Sequence, residues 1–305
     1  MWRMRTSLML VLPFALGACA TSNTPASVAA SASASASASP SVRSTTAAEA
    51  GPEKGFADAT FSRSTAITNR WFPLTPGTQF VYEGATVDGG ESIPHRVVFT
   101  VTDLTKVVHG VRNVVIWDRD YSDGQLEETE LAFFAQADDG TIWHFGQYPE
   151  VYENGTFVES PAWVYPEQGA QPGITVKAEP QPGSPSYSQG WGPAVNWNDR
   201  ARVHQTGQRV CVKAGCYSDV LVTDEFTEDE PDAHQLKSYA PGVGNIRVGW
   251  SGNDTTRETL ELVKVVRLSP QERAQVRQEA LKLEKRAYQK SGPVYGRTAP
   301  LEQPR

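Results

Sequence analysis

The sequence predicts a mainly β protein, with a single antiparallel sheet curved into an open barrel or sandwich, a long aromatic-rich irregular loop and one C-terminal helix. Three observations predict this fold. Residues 56–268 consist of short β-rich runs. Turn dipeptides separate these runs. No crossover helix of the kind that a parallel sheet needs is evident before Ser269.

Ten segments have the character of strands, namely 79–82, 96–104, 113–121, 125–136, 141–145, 203–212, 217–225, 237–239, 244–250 and 256–266. Asp123-Gly124 and Asp139-Gly140 indicate hairpin turns, because both residues of such a turn adopt positive φ. Residues 113–145 are therefore predicted to form a three-stranded meander.

Two registers are open at the first of these hairpins. With a three-residue loop, Asp118 faces Glu128, and two directly opposed carboxylates repel each other. With a two-residue turn at Asp123-Gly124, Arg119 faces Glu128 and the repulsion disappears. We favour the second register.

Residues 149–197 are rich in proline and glycine and carry a high density of aromatic side chains. A loop of this length is usually either functional or disordered, and its aromatic content argues against disorder. We expect an ordered irregular cover over an open end or face of the sheet.

A helix is predicted over 269–291, because Ser269-Pro270-Gln271-Glu272 forms a capping box with proline at the first helical position. Residues 51–268 contain 30 acidic and 17 basic residues, whereas 269–305 contain 8 basic and 4 acidic residues. A basic helix after an acidic domain is expected to dock on that domain or to stay solvated. The alternative is contact with anionic lipid headgroups or cell-wall polymer.

The N-terminus has the pattern of a secretory signal peptide: a basic start, about ten apolar residues and small residues at the end. Its last residues, Leu16-Gly17-Ala18-Cys19, resemble a bacterial lipobox. The resemblance implies cleavage before Cys19 and a lipid on its sulfur, with acyl chains such as palmitate that anchor the protein to the membrane. An ordinary signal peptide cut at Ala18 or Ala20 is the alternative.

The chain is thus predicted to divide into five segments: a lipoprotein signal peptide (1–18), the lipidated cysteine with a disordered Ala/Ser linker (19–55), an antiparallel β domain (56–268), an amphipathic helix (269–291) and a flexible tail (292–305). The linker is expected to be disordered because it contains almost nothing to bury.

Cys211 and Cys216 flank a predicted hairpin turn. Export to an oxidising compartment makes a disulfide between them the default expectation. A redox or metal pair is the alternative, although the two-residue spacing of such pairs is missing. No two of the five histidines have metal-ligand spacing, so neither a metal nor a cofactor is predicted.

Candidate ligand-binding residues come from the predicted sheet and its aromatic cover. Aromatic side chains provide flat apolar area, and charged side chains orient a polar ligand. The candidates are Glu128, Glu130, Trp143, Trp163, Lys237 and Tyr239. A net charge of −7 makes nucleic acid an unsuitable partner.

Four stretches resemble an uncharacterised group of secreted bacterial β-rich proteins, many of them lipoproteins. These stretches are 67–77, 128–143, 169–174 and 239–244. The resemblance implies a shared antiparallel scaffold and no particular activity.

The leading hypothesis is a lipid-anchored extracytoplasmic binding or accessory lipoprotein of unknown ligand, a small molecule or a cell-wall component. Because Ala20 rather than aspartate follows Cys19, resemblance to lipoprotein sorting rules favours the outer membrane if the host has two membranes. No catalytic motif such as Gly-x-Ser-x-Gly occurs. The alternatives are an envelope hydrolase that uses the paired carboxylates Asp118 and Glu128, and a purely structural interaction module on the cell surface.

Overall fold

A computed structural model describes residues 51–304. It contains one antiparallel sheet of fifteen strands and a C-terminal helix, so the predicted fold class is confirmed. The signal peptide, Cys19 and the linker up to residue 50 lie outside the described residues.

The strands are β1 (Thr78–Asp88), β2 (Glu91–Val108), β3 (Val111–Ser122), β4 (Gln125–Gln136), β5 (Ile142–Glu153), β6 (Thr156–Glu159), β7 (Trp163–Val164), β8 (Gln171–Val176), β9 (Tyr187–Ser188), β10 (Gly190–Trp191), β11 (Asp199–Val212), β12 (Gly215–Thr227), β13 (Ala233–Ala240), β14 (Gly244–Gly252) and β15 (Thr259–Arg267). The helices are α1 (Pro270–Lys290) and α2 (Gly292–Tyr295).

The sheet curves until its two ends are joined by one short segment of chain. Its strand order is β10-β8-β5-β4-β3-β2-β1-β15-β14-β13-β12-β11-β9, with β6 and β7 attached to β5. The end strands β9 and β10 are separated along the chain only by Gln189. At this joint the backbones approach closely, since a Cβ atom on Gly173 would lie 2.0 Å from the backbone nitrogen of Gly190. The sheet is therefore strongly curved although it does not close into a barrel.

The region 149–197 contains more strand than the sequence indicates. Strand β5 continues to Glu153, and the short strands β6 to β10 follow it. These strands pair with β5, β8 or β11, so the aromatic cover is built into the sheet. The short runs are hard to recognise because proline and glycine interrupt them.

Helix α1 packs on one face of the sheet and buries an apolar core there. Its buried apolar residues, Ala280, Leu283 and Ala287, belong to the same cluster as the strand residues Val115, Leu131, Phe133, Phe145 and Tyr148. The predicted capping box is present, with the Ser269 side chain accepting from the Glu272 backbone nitrogen.

Ion pairs fix the helix on this face. Arg286 binds the carboxylate of Glu150 through Nε, with N–O distances of 2.8 and 2.9 Å. The Lys106 ammonium, which is fully buried, lies 3.2 Å from Glu284 Oε1. Arg286 of α1 therefore neutralises an acid of the sheet, as expected for docking on the acidic domain, whereas in the second pair the cation is on β2 and the acid is on α1.

The residues after α1, for which the sequence predicts a flexible tail, pack against the sheet and α1. Tyr295 is fully buried, and its ring lies 4.2 Å from the Lys106 ammonium. Glu302 exchanges two backbone hydrogen bonds with Thr105, and the Leu301 nitrogen donates to the same Glu284 oxygen that pairs with Lys106. The burial of Tyr295 and the hydrogen bonds of this segment hold it in place.

Cys211 and Cys216 form the predicted disulfide at the tip of the β11–β12 hairpin. The tip contacts β15, because the Ala214 nitrogen donates to the Leu262 carbonyl oxygen at 3.0 Å. The Arg247 side chain donates to the Cys211 carbonyl oxygen at 2.6 Å. The disulfide thus keeps the hairpin tip in the shape that docks on a distant strand.

The buried ion pair beneath α1 predicts a large effect of one substitution. Lys106→Ala leaves the Glu284 carboxylate buried without its cation, so we expect unfolding free energy to fall by about 3 kcal/mol or more. Lys282→Ala removes the exposed Lys282–Glu279 pair and should change the unfolding free energy by less than about 0.5 kcal/mol. Urea unfolding of the two variants measures both effects. Equal losses of unfolding free energy would contradict a stabilising role of the buried Lys106–Glu284 pair.

Candidate functional site on the concave face

Aromatic contacts identify which face of the sheet is concave. The Phe72 ring lies 6.2 Å from Phe99 on β2, 5.6 Å from Phe134 on β4 and 6.3 Å from Tyr239 on β13. Strands β4 and β13 lie six positions apart in the sheet. One ring can reach both only from inside the curve, so these three residues mark the concave face. Helix α1 lies on the opposite face.

Four carboxyl groups form two opposed pairs on the concave face. Asp118 on β3 lies opposite Glu130 on β4, and Asp120 lies opposite Glu128. Asp118 also lies opposite Phe99 on its other side, which places these pairs on the same face as the Phe72 contact. Cross-strand partners have Cβ atoms roughly 4.5–5.5 Å apart, so each pair is in close contact.

The β3–β4 hairpin has the favoured turn but not the expected pairing. Asp123 and Gly124 form the two-residue turn with φ values of 46° and 77°. A bulge beside Asp120 then adds one residue to β4, so that Arg119 faces Thr129 and not Glu128. The expectation that this register relieves the repulsion is therefore wrong, because a bulge shifts every later pair in the ladder.

Burial makes these carboxyl groups weak acids. Asp118 and Glu130 are each only 5% exposed. Burial, followed by the negative charge of Glu130, holds the pKa of Asp118 well above its usual range. Burial raises the pKa of Glu130 to about 7 and also raises that of Glu128, to which Glu130 adds charge repulsion. This cluster of carboxyl groups therefore retains protons at neutral pH, whereas isolated carboxyl groups are ionised at that pH.

His95 lies beside the opposed carboxyl groups and is strongly basic. Its Nε2 hydrogen-bonds Asp120, and its Nδ1 lies 3.1 Å from Glu258 Oε1. Burial alone would lower the pKa of His95, but hydrogen bonds and the charges of both carboxylates raise it to about 10. Gln235 of β13 donates to Glu258. His95 is therefore a fixed cation that is already shared between two acids.

A second polar cluster is centred on Glu225 of β12. Lys237 Nζ lies 2.6 Å from Glu225 Oε2, and both side chains are buried. The Thr223 hydroxyl donates to Glu225 Oε1 at 3.2 Å, and the Tyr239 hydroxyl approaches it at 3.4 Å. Burial would raise the pKa of Glu225, but the charge of Lys237 lowers it below its ordinary value. Glu225 is therefore ionised at neutral pH.

The six predicted ligand-binding residues do not all meet. Lys237 and Tyr239 meet at Glu225. Glu128 and Glu130 belong to the two opposed carboxyl pairs on the same face. Trp143 lies on the opposite face, where its ring is 5.3 Å from Phe56 in the core beneath α1. The alternation of side chains along β5 sends Trp143 away from its neighbour His144.

Trp163 borders the concave face through His144. The His144 ring stacks on Phe134 at 4.7 Å, and Trp163 contacts the His144 ring at 4.8 Å. Burial lowers the pKa of His144 to about 3, so this imidazole is neutral. His144 and Trp163 therefore form an uncharged aromatic wall beside the carboxyl groups.

Glu225, His95 and Glu258 are residues of this face that the sequence did not single out. For Glu225 a signal existed, because strand alternation places it on the same face as Thr223 in the predicted strand 217–225. His95 and Glu258 come from segments that are far apart in the chain, and no spacing in the sequence connects them.

Four buried polar atoms at the β5 side of this face and at the joint of the sheet have no hydrogen-bond partner. They are Gln147 Oε1, Trp163 Nε1, Gln189 Oε1 and Trp197 Nε1. Gln147 lies opposite Trp163 and is 1% exposed. Buried polar atoms are nearly always paired in folded proteins, so these four atoms are exceptions.

Within residues 51–304, no group of three or more His, Cys, Asp or Glu side chains has an arrangement that could hold a metal ion. No helix in that range is both long enough and apolar enough to cross a membrane.

Comparisons with known proteins give only weak matches. No protein-family model and no curated protein sequence matches this chain. Two solved structures are similar to 65% of it, each over 99% of its own length and with a TM-score of 0.38. One, at 14% identity, is from Bacteroides fragilis and is described as exported with a YmcC-like fold. The other, at 11% identity, is from Parabacteroides distasonis and is described as a lipoprotein. Scores this low transfer neither fold nor function to the present chain.

The raised pKa of Glu130 predicts a pH-dependent gain in stability for Glu130→Gln. The native state keeps this proton from pH 4.5 up to about 7, whereas the unfolded chain loses it near 4.5. The resulting contribution to native stability disappears as the pH rises through that window. Glu130→Gln should therefore match the wild type near pH 4.5 and exceed it by about 2–3 kcal/mol near pH 7.5.

Urea unfolding at the two pH values measures this difference. Glu91→Gln is a suitable control because Glu91 is exposed in the β1–β2 hairpin. Its stability relative to the wild type should not change with pH. A constant offset between Glu130→Gln and the wild type at both pH values would show that Glu130 has an ordinary pKa.

Proposed function

We propose that the protein is an extracytoplasmic lipoprotein that binds a small polar ligand on the concave face of its sheet. The observation that carries this proposal is the contrast between the two faces. The face beneath α1 is largely an apolar core, whereas the concave face carries opposed carboxyl groups. Burial of such groups is costly unless another molecule supplies partners.

The chemistry of the unpaired atoms indicates the kind of ligand. Gln147 Oε1 accepts hydrogen bonds and the indole nitrogen of Trp163 donates one, while the neighbouring Glu130 carboxyl group donates when protonated and accepts when ionised. A molecule with several hydroxyl or amine groups and one flat apolar surface would suit this combination. Cell-wall sugars have this character, since aromatic rings pack against sugar faces while polar groups hold the hydroxyls.

The proposed location rests on the N-terminal sequence and on the disulfide. Leu16-Gly17-Ala18-Cys19 resembles a lipobox, and two or more acyl chains on Cys19 would give stable membrane attachment. The Cys211–Cys216 disulfide is consistent with an oxidising compartment. We propose the outer membrane as the destination if the host has two membranes.

A second candidate function is hydrolysis by paired carboxyl groups. The observation that favours it is that Asp118 lies directly opposite Glu130, with raised pKa values on both. A protonated carboxyl group beside an ionisable one is the arrangement used for general acid–base work on glycosidic bonds. The pair in this register is Asp118 with Glu130, in place of Asp118 with Glu128.

A ligand screen tests the binding function. The non-lipidated Cys19→Ser protein should gain thermal stability with one class among cell-wall sugars, lipids and divalent ions. The gain should disappear in Glu130→Gln and in Lys237→Met but persist in Glu91→Gln, the exposed control. Absence of a shift with every class would reject the proposal. Turnover of a glycan that both Asp118→Asn and Glu130→Gln abolish would favour the hydrolase.

Lipidation is tested separately on the wild-type protein. Mass spectrometry of the mature N-terminal peptide should find Cys19 at the N-terminus with a diacylglyceryl group on sulfur. Cys19→Ser should release the protein from the membrane fraction, whereas Ser22→Ala should not. A free thiol at position 19, or an uncleaved leader, would contradict the anchor while leaving the ligand proposal open to its own test.

A further inference from the structure

A cleft lies where strands β14 and β15 separate. The two strands pair only at Arg247–Glu261 and Val248–Leu260, and β15 then continues to Arg267 with β1 as its one strand partner. The resulting gap has a volume of about 250 Å³. Residues from five parts of the chain line it: the segment before β1, strand β1, strand β15, the start of β12 and the β13–β14 turn.

The cleft carries a positive charge that no acidic residue neutralises. Arg267 reaches the Thr78 hydroxyl, and within residues 51–304 its guanidinium forms no ion pair. None of the nine lining residues is an aspartate or glutamate. A guanidinium with free N–H donors is well suited to a carboxylate or a phosphate.

The remaining walls are mainly apolar. Phe80, Val243 and Val265 line the cleft, with the Tyr217 ring on the β12 side. Val265 is 43% exposed and is one of only three large hydrophobic side chains in the described chain with so much exposed surface. The cleft therefore places an exposed apolar side chain next to an exposed guanidinium.

We propose that this cleft binds an amphiphilic monoanion, that is, a carboxylate or phosphate ester on a short apolar chain. The anion would bind Arg267, and the chain would cover Val265 and Phe80. The volume of about 250 Å³ limits the apolar part of the ligand to a short chain. This site goes beyond the proposed function and shares no residue with the candidate set on the concave face.

Calorimetric titration of the Cys19→Ser protein with four probes tests the proposal. The probes are hexanoate, hexyl phosphate, inorganic phosphate and hexylamine. Hexanoate, hexyl phosphate or both should bind at least ten-fold more tightly than inorganic phosphate and hexylamine, and their ranking decides between the two anions. Equal binding of hexylamine, equal binding of inorganic phosphate, or no binding of any probe would overturn the proposal.

Two variants separate the ionic from the apolar contribution. Arg267→Gln should weaken binding of the preferred anion by about ten-fold or more, because it removes a charge-assisted hydrogen bond. Lys264→Gln removes the same charge from an exposed site on the same strand that does not line the cleft, and should leave affinity unchanged. An equal loss of affinity in both variants would show that the anion responds only to the overall positive charge of β15, and this result would overturn the proposed site.

A third variant fills the cleft and keeps the charge. Thr75 is exposed at the rim, and Thr75→Trp should abolish binding while melting temperature remains that of the wild type. Retained binding in this variant would contradict a ligand inside the cleft. Glu130→Gln should have no effect on any probe, so failure at this cleft is distinguishable from failure on the concave face.

Discussion

The joint formed by residues 187–191 is the constraint on which the rest of the structure depends. Ser188 pairs with β11 and Gly190 pairs with β8, so five residues hold together the two ends of a path of thirteen strands. A sheet held at both ends must curve, and the curve creates a concave face with walls that contact each other. The Phe72 ring can span from β4 to β13 only because of this closure.

The curvature divides the molecule into two environments. On the face beneath α1, apolar residues pack together, and the buried ion pair Lys106–Glu284 is completed by the Leu301 nitrogen. On the concave face, acids are opposed to acids, and their pKa values rise because burial and mutual repulsion both disfavour ionisation. The two faces therefore differ in charge: beneath α1 the buried acid Glu284 has a cation beside it, whereas on the concave face Asp118 and Glu130 oppose each other. This difference is the physical basis of the proposed function.

Local signals in the sequence predicted a large part of the fold. The Asp123-Gly124 turn, the capping box at Ser269 and the pairing of Cys211 with Cys216 all depend on residues within a few positions of each other. The candidate site was predicted less well. Glu128, Glu130, Lys237 and Tyr239 lie on the concave face, but Trp143 lies on the other, because the sequence does not tell which face of a strand points into the curve.

By itself, the sequence determined the antiparallel class, the main hairpins, the helix and the disulfide, since each follows from turn chemistry, side-chain alternation or short spacing. Tertiary structure alone decided that Asp118 faces Glu130, that His95 meets Glu258 and that β14 separates from β15. The physical reason is the same in all three cases. One bulge shifts an entire ladder, and contacts between strands far apart in the chain depend on how strongly the whole sheet curves.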